Sequence, residues 1–332
     1  MDKMPLVSII IAAYNAGPYI AATLNSVLNQ TWPNVEIIVV NDGSTDNTAN
    51  ILTTYEVKGI KVIHQPNSGQ DIALNNGFKQ AKGSFIKFMD ADDLINPEMI
   101  EIQVKTLLNH PNSVAYGEWA RFYNNQPEKA NFTPLDYWKD ASPINFLTAR
   151  KEGVMLQCGI MLLPRHIIEK AGLWDERLIL FNDTEFFCRQ LLAAESIKFT
   201  PGARLYYRSG LQNSISVGKA RKFFESTFLA TTLIGQHLIA RENSLRVKTL
   251  IANMFLDQYI QFYPKYADLG KQHEAAIKQW ATPTIEANGG GVFKVLKSIG
   301  GWKFARYMQY IFYKLGYLNY LQWRKTRNSS SH

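Results

Sequence analysis

The stretch Leu6-Val7-Ser8-Ile9-Ile10-Ile11-Ala12-Ala13-Tyr14 is apolar at nearly every position and then gives way at once to Asn15-Ala16-Gly17. A run of this length with β-branched residues on both faces reads as a strand buried on both sides, the pattern of a parallel sheet covered by helices. Three further runs repeat it within ninety residues: Val35-Glu36-Ile37-Ile38-Val39-Val40, Ile60-Lys61-Val62-Ile63-His64 and Ser84-Phe85-Ile86-Lys87-Phe88. Between them lie segments with helical spacing, "PYIAATLNSVLNQ", "TDNTANILTTY" and "DIALNNGFKQA". Strand and helix in alternation give βαβ units, so the chain begins as a doubly wound α/β fold with a mostly parallel, Rossmann-like sheet.

In such sheets ligands bind outside the carboxyl ends of the strands. The four loops that follow the four strands are therefore expected on one rim: "AYNAG" (13–17), "NDGSTD" (41–46), "QPNSGQ" (65–70) and "DADD" (90–93). The last places Asp90, Asp92 and Asp93 within four residues directly after a strand. Repulsion among three carboxylates is offset by a cation or by backbone donors. Two readings follow: a metal site, or a turn whose acids cap a helix opening near Pro97. No G-x-G-x-x-G follows the first strand and no G-x-x-x-x-G-K-[ST] occurs, which argues against a dinucleotide dehydrogenase and a P-loop NTPase. Without a glycine-rich cradle a diphosphate needs another counter-charge, and a hard cation held by carboxylates supplies one.

Composition bounds the class. The 332 residues are 46% hydrophobic, ordinary for a globular protein. Two cysteines, Cys158 and Cys188, are too few for a secreted disulfide framework and read as buried thiols of a cytoplasmic protein. Six scattered histidines give no zinc spacing. The apolar run near the N-terminus is too short for a secretory or membrane-spanning segment. The net charge of +8 is concentrated: residues 287–332 hold eight basic residues and no acidic one, which leaves residues 1–286 near neutrality.

Together the motifs resemble the inverting glycosyltransferases of family 2, which have the GT-A fold. The matching stretches are "VSIIIAAYNAGPYIAATLNSVLNQTWPNVEIIVVNDGSTDNT", "NSGQDIALNNGFKQAKGSFIKFMDADD" and "AGLWDERLILFNDTEFFCRQL", spread over most of residues 5–210 in the family's order. The resemblance implies a hexosyltransferase that uses a nucleotide diphosphate sugar, a UDP-sugar by expectation, with Mn2+ or Mg2+ as cofactor. It implies donor contacts from Ala13, Tyr14, Asn15, Asp42, Asn67, Gly69, Asp90, Ala91, Asp92 and Arg208. Asp42 would accept from the ring N–H of a pyrimidine, and it also fits an Asp-Gly turn ahead of a helix cap. Asp92 would ligate the metal, with Asp90 facing the ribose or the metal and Asp93 acting behind them.

The general base implied by the resemblance is Asp183. In "FNDTEFFCRQLLAA" the apolar spacing marks a helix, and Asn182 with Glu185 three residues on resembles a capping box. Asp183 then falls in the first turn, where the helix dipole favours the ionised form. Trp174 and Asp175 are candidates for acceptor contacts, and Trp174 fits core packing equally well. Three departures from the family pattern stand out: Asn182 where Glu is usual, Leu74 where Arg is usual, and no histidine between Arg208 and Ser216.

The GT-A domain is expected over residues 1–216. From Val217 the alternation stops, and helix-length amphipathic stretches run through 217–332, ending in a basic, aromatic tail after "ANGGG" (287–291). That tail fits a helix lying on an anionic membrane surface and fits equally a helix packed on its own domain. No recognition motif accompanies the charge, so nucleic acid is not an expected partner. The acceptor is expected to be a glycan or lipid-linked glycan, in cell-surface polysaccharide synthesis at the inner face of the plasma membrane. The competing reading from another class is a catalytically silent nucleotide-sugar-binding module. Sugar, linkage and oligomeric state are not legible.

Overall fold

The computed structural model describes residues 4–151, 153–154, 156–211 and 220–316. Its eight-stranded sheet has the order β3-β2-β1-β4-β7-β6-β8-β5. The first four strands are β1 (Val7–Ala13), β2 (Val35–Asp42), β3 (Lys61–Gln65) and β4 (Phe85–Asp90), all parallel, with β1 between β2 and β4. Ile9, Ile10 and Ile11 are wholly buried because helices cover both faces of this central strand.

Those helices are α1 (Ile20–Leu28), α2 (Thr48–Glu56) and α3 (Gln70–Gln80), matching the three periodic segments of the sequence. α3 lies unusually close to the sheet. A Cβ at Gly77 would stand 2.4 Å from Ile10 Cγ2, so only glycine lets the helix backbone approach this far.

After β4 the topology changes. A two-residue strand β5 (Leu94–Ile95) and helix α4 (Met99–Asn109) lead to β6 (Ser113–Phe122). A short helix α5 (Pro143–Leu147), β7 (Met161–Pro164) and α6 (Arg165–Ala171) precede α7 (Asn182–Ala193) and the long strand β8 (Ser196–Arg208). β7 runs antiparallel to both β4 and β6, while β6 and β8 run parallel with a register shift between Tyr116 and Glu118. β4 and β8 are thereby brought to one rim: Asp90 ends the former and Arg208 the latter.

Four helices follow: α8 (Arg221–Arg241), α9 (Leu245–Phe262), α10 (Ala267–Trp280) and α11 (Gly291–Lys314). The expected boundary at 216 lies outside the described residues. Ile234 and Leu238 of α8, with Val247, Ile251 and Phe255 of α9, belong to the same apolar cluster as the sheet. Both cysteines are buried and free, as their isolation in the sequence suggests.

Candidate active site

The loop after β1 and the loop after β2 lock together. Asn15 Oδ1 accepts from the Thr45 amide at 2.8 Å and the Asp46 amide at 3.3 Å, and the Asn15 amide donates to Ser44 Oγ at 3.0 Å. Asn15 reaches this position with a positive φ of 48°, which Asn tolerates better than most side chains. Tyr14, beside it, is exposed, whereas Ala13 is buried at the strand end. Asp46 completes the latch: Oδ2 accepts from the Gly17 amide and Oδ1 from the amide of Thr48, in the first turn of α2.

Asp42 is buried at the end of β2. Its Oδ1 accepts from Gln65 Nε2 and the Ser68 amide, and its Oδ2 accepts from the Gly69 amide, each at 2.8 Å. The "QPNSGQ" loop is thus wrapped around one carboxylate, which leaves Oδ2 able to accept a further donor. Gly43 makes the wrap possible. It has φ +69°, and a Cβ there would meet the Asn67 amide nitrogen at 2.5 Å.

The carboxylate loop is held from three sides. Thr23 Oγ1 donates to the Ala91 carbonyl, Gln70 Nε2 donates to Asp90 Oδ1, and Arg208 binds twice: its amide to Asp93 Oδ1 and its Nε to the Asp92 carbonyl. The Arg208 guanidinium lies over the rings of Tyr19 and Phe122 and donates to Asn125 Oδ1. Arg208 is therefore buried and engaged in shaping the loop; burial pulls its pKa below the usual arginine value, against the charges of Asp92 and Asp93, which favour the cation.

Burial raises the carboxyl pKa of Asp90, Asp92 and Asp93. For Asp90 the charges of Asp92 and Asp183 push the same way, and for Asp93 those of Asp92 and Asp90 do. Among the described residues Asp93 Oδ2 is buried with no hydrogen-bond partner. Among the described residues no group of three or more His, Cys, Asp or Glu forms a ready-made metal cage. The donor set is instead the kind that suits Mg2+ or Mn2+ bound through one or two carboxylates, with phosphate oxygens completing the shell. Three crowded carboxylates that repel one another would be relieved by a divalent cation, and Asp90 and Asp92 are the partly exposed pair of the three.

Asp183 enters from α7. The chain turns into this helix through Phe181, whose φ of 66° is rare for a bulky residue and a mark of a constrained turn. The capping box expected from Asn182 and Glu185 does not form, because the helix begins at Asn182 itself. Asn182 donates instead to Asp71 Oδ1 in the first turn of α3, and Glu185 is paired with Arg189 at 2.7 Å. Glu185 turns away because Arg189 also ties the helix to the carbonyls of Ala171, Gly172 and Leu173. Asp183 does lie in the first turn of the helix, as expected. Burial outweighs the amide donors of Asp183 and Thr184, and the carboxyl is pushed up to about 6.

Asp71 was not singled out by the sequence, where it reads as an ordinary first-turn acid. It is buried, with Oδ2 lacking a partner, and burial pushes it up to about 7 against the lowering effect of Asn182. The Asn182 departure is then explained: a donor amide stands opposite this acid, where a glutamate would add another negative charge. Leu74 is likewise buried in the core, where an arginine's charge would find no water.

Trp174 is not an acceptor platform. It is 3% exposed and stacks on Phe186 of α7 at 4.0 Å, so its ring supports the helix that carries Asp183. Asn75 of α3 brackets it, accepting from the Trp174 amide and donating to its carbonyl. Asp175 is committed to Arg177, which holds its carboxyl below the usual range. The structure thus gathers Asp42, Asp90, Asp92, Asp93, Arg208 and Asp183 on one rim, and leaves Trp174 beneath it.

A cavity of about 510 Å³ opens at the end of β6, with Trp119, Arg121, Tyr123, Asn124, Lys129 and Thr133 among its lining residues. Its Phe122 wall is the ring beneath Arg208. Nothing in the sequence marked these residues.

The chain is similar to known proteins. The family model described as glycosyl transferase family 2 matches residues 8–172. The putative glycosyltransferase EpsH of Bacillus subtilis is 44% identical over 230 residues, covering 68% of this chain and 66% of that protein. Glycosyltransferase GlyG of Streptococcus pneumoniae is 30% identical over 215 residues, covering 61% of this chain and 70% of that protein. The matched region spans less of other relatives: 32% of an uncharacterized glycosyltransferase of Rickettsia felis, at 36% identity over 57% of this chain. Among solved structures, S. aureus TarS 1–349 in complex with UDP-GlcNAc superposes with a TM-score of 0.60 at 21% identity, over 82% of this chain and 88% of that one. Fold, loop order and relatives agree: the chain belongs to glycosyl transferase family 2 and has the GT-A fold.

Proposed function

We propose that the protein moves a hexose from a nucleotide diphosphate sugar, a UDP-sugar, to a hydroxyl of a glycan or lipid-linked glycan, with inversion. One observation carries the reading: Asp183, a half-buried acid in the first turn of α7, stands near enough to the Asp90 loop for its charge to raise the Asp90 carboxyl. A proton acceptor and a diphosphate-side carboxylate set therefore face one space. The UDP and UDP-GlcNAc complexes of TarS, which has the same fold, support the choice of donor.

In this reading the base and ribose rest between Tyr14 and Asp42, whose free lone pair on Oδ2 receives the pyrimidine N–H. Asn15, Gly69 and Ala91 shape the slot through the loop bonds described above, and Asn67 through its close approach to Gly43. A divalent cation, Mn2+ or Mg2+, held by Asp92 and Asp90, supplies positive charge for the leaving diphosphate. Arg208 acts by fixing the carboxylate loop. Asp183 takes the proton of the acceptor hydroxyl as its oxygen bonds to the anomeric carbon, while the bond from that carbon to the diphosphate oxygen breaks. A buried carboxylate at about 6 is a stronger base than a solvated one and is still ionised at neutral pH.

The setting we propose is cell-surface polysaccharide synthesis at the inner face of the plasma membrane, with the basic tail meeting anionic lipid. No helix among the described residues is long and apolar enough to cross a membrane. The test is a donor screen: purified protein with Mn2+ or Mg2+ and a panel of nucleotide sugars, read by mass spectrometry. Cleavage of one donor, lost in Asp183→Asn, is expected; cleavage of none, in the presence of mixed glycan acceptors, would refute the reading.

A further inference from the structure

Among the described residues, helix α11 is fastened by one face and exposed on the other. Phe293 from its first half and Ala305 from its second are buried with Ile260 of α9 and Ala287 in one apolar cluster, and Leu296 and Trp302 pack at its margin. Trp302 meets Tyr259 and Tyr263 edge-on, and Lys297–Glu286 and Lys303–Glu274 ion pairs pin the helix further. Gly300 and Gly301 bend the helix between the halves, Gly301 with φ +75°. The first half thereby turns one face away from the cluster.

On that outer side stand Val292, Val295 and Ile299, spaced i, i+3, i+7 and exposed by 66%, 60% and 72%. Beyond the bend Phe304 and Tyr307 are exposed as well. A helix facing water normally shows charged or polar residues there. A contiguous apolar stripe marks a contact surface. Its surroundings carry one sign of charge: Lys294 and Lys314 are exposed, residues 287–332 contain no acid, and nearby Glu274 and Glu286 are already paired.

We propose that this face of α11 lies in the headgroup layer of an anionic membrane, with Val295, Ile299, Phe304 and Tyr307 entering the interface and the lysines meeting lipid phosphates. Amphipathic helices bind membranes by this combination of apolar burial and attraction to anionic lipid. A second copy of the chain is a poorer occupant, because two such faces would bring like charges together. The proposal rests on the membrane-surface part of the reading above and is independent of the sugar chemistry.

Flotation of the full-length protein with vesicles of phosphatidylglycerol and phosphatidylcholine, against phosphatidylcholine alone, tests it. Wild type should float with the anionic vesicles at low salt and at least about tenfold less with neutral ones. Ile299→Ser with Phe304→Ser, both exposed positions, should cut flotation about tenfold while melting temperature and UDP binding hold. Unchanged flotation in that variant would overturn the assignment to α11, and so would a wild type that never floats. Light scattering that finds a dimer which the same variant dissolves, without flotation, would assign the face to a second copy instead. UDP binding on the same samples keeps a failure here apart from a failure of the transferase reading.

Discussion

Lowering the pH should switch off the proposed base along a curve that the burial of Asp183 determines. With its carboxyl at about 6, about nine-tenths of the protein carries the ionised base at pH 7 and about one-tenth at pH 5. The rate of donor cleavage at saturating donor and cation should therefore fall about tenfold between those values, and about tenfold more for each further unit. Asp183→Asn keeps the shape of the side chain and removes the proton acceptor. It should lower the rate by ~10²–10⁴, abolish the acid limb and leave donor affinity unchanged. The assay is release of nucleoside diphosphate across the pH range, with melting curves on the same samples to show that the fold survives. A profile flat down to pH 5, or an Asp183→Asn enzyme within about fivefold of wild type, would refute the role of Asp183.

The remaining predictions follow from the same burial. Asp71 is raised from 3.8 to about 7, so its stability cost is absent below pH 4, grows through the interval and is complete above pH 7; Asp71→Asn should stabilise by about 2–4 kcal/mol at pH 8 and little at pH 4.5. Urea unfolding at both values checks this, and equal effects at the two would contradict it. Mn2+ should raise the melting temperature more at pH 8 than at pH 5, because the carboxylates pushed up by burial must lose protons to hold it; a shift that ignores pH would count against Asp90 and Asp92 as ligands. Trp174→Ala should cost about 3–5 kcal/mol as a core truncation, and a variant as stable as wild type would return Trp174 to the surface of the site.

The first half of the fold was legible because β1 to β4 are apolar on both faces and each is followed by a polar loop, so that topology alone assigns the rim. The places of Asp90 and Asp92 after a strand and of Asp183 at a helix start were legible, with their roles implied only by the resemblance. Their ionisation was not, because it depends on burial and on neighbours far apart in the chain. Asp71 and Asn182 are 111 residues apart, and no local pattern announces that pair. Trp174 had two readings in the sequence, and only its stacking on Phe186 decides for the core. Arg208 was read as a donor contact; its partners Tyr19, Asn125 and Asp93 come from three separate segments, so its bracing of the carboxylate loop was not visible in the sequence. Of the tail's two readings, packing on its own domain holds for the described part of α11, and the membrane surface stands as the proposal above.

The most direct test of the central claim is calorimetric titration of UDP into wild type and Asp92→Asn, each with Mn2+ and with a chelator. The account predicts binding to wild type with Mn2+, a loss of at least about tenfold on chelation, and a similar loss in Asp92→Asn whether or not Mn2+ is present. Equal affinity in all four titrations, or no binding to wild type with Mn2+, would contradict it.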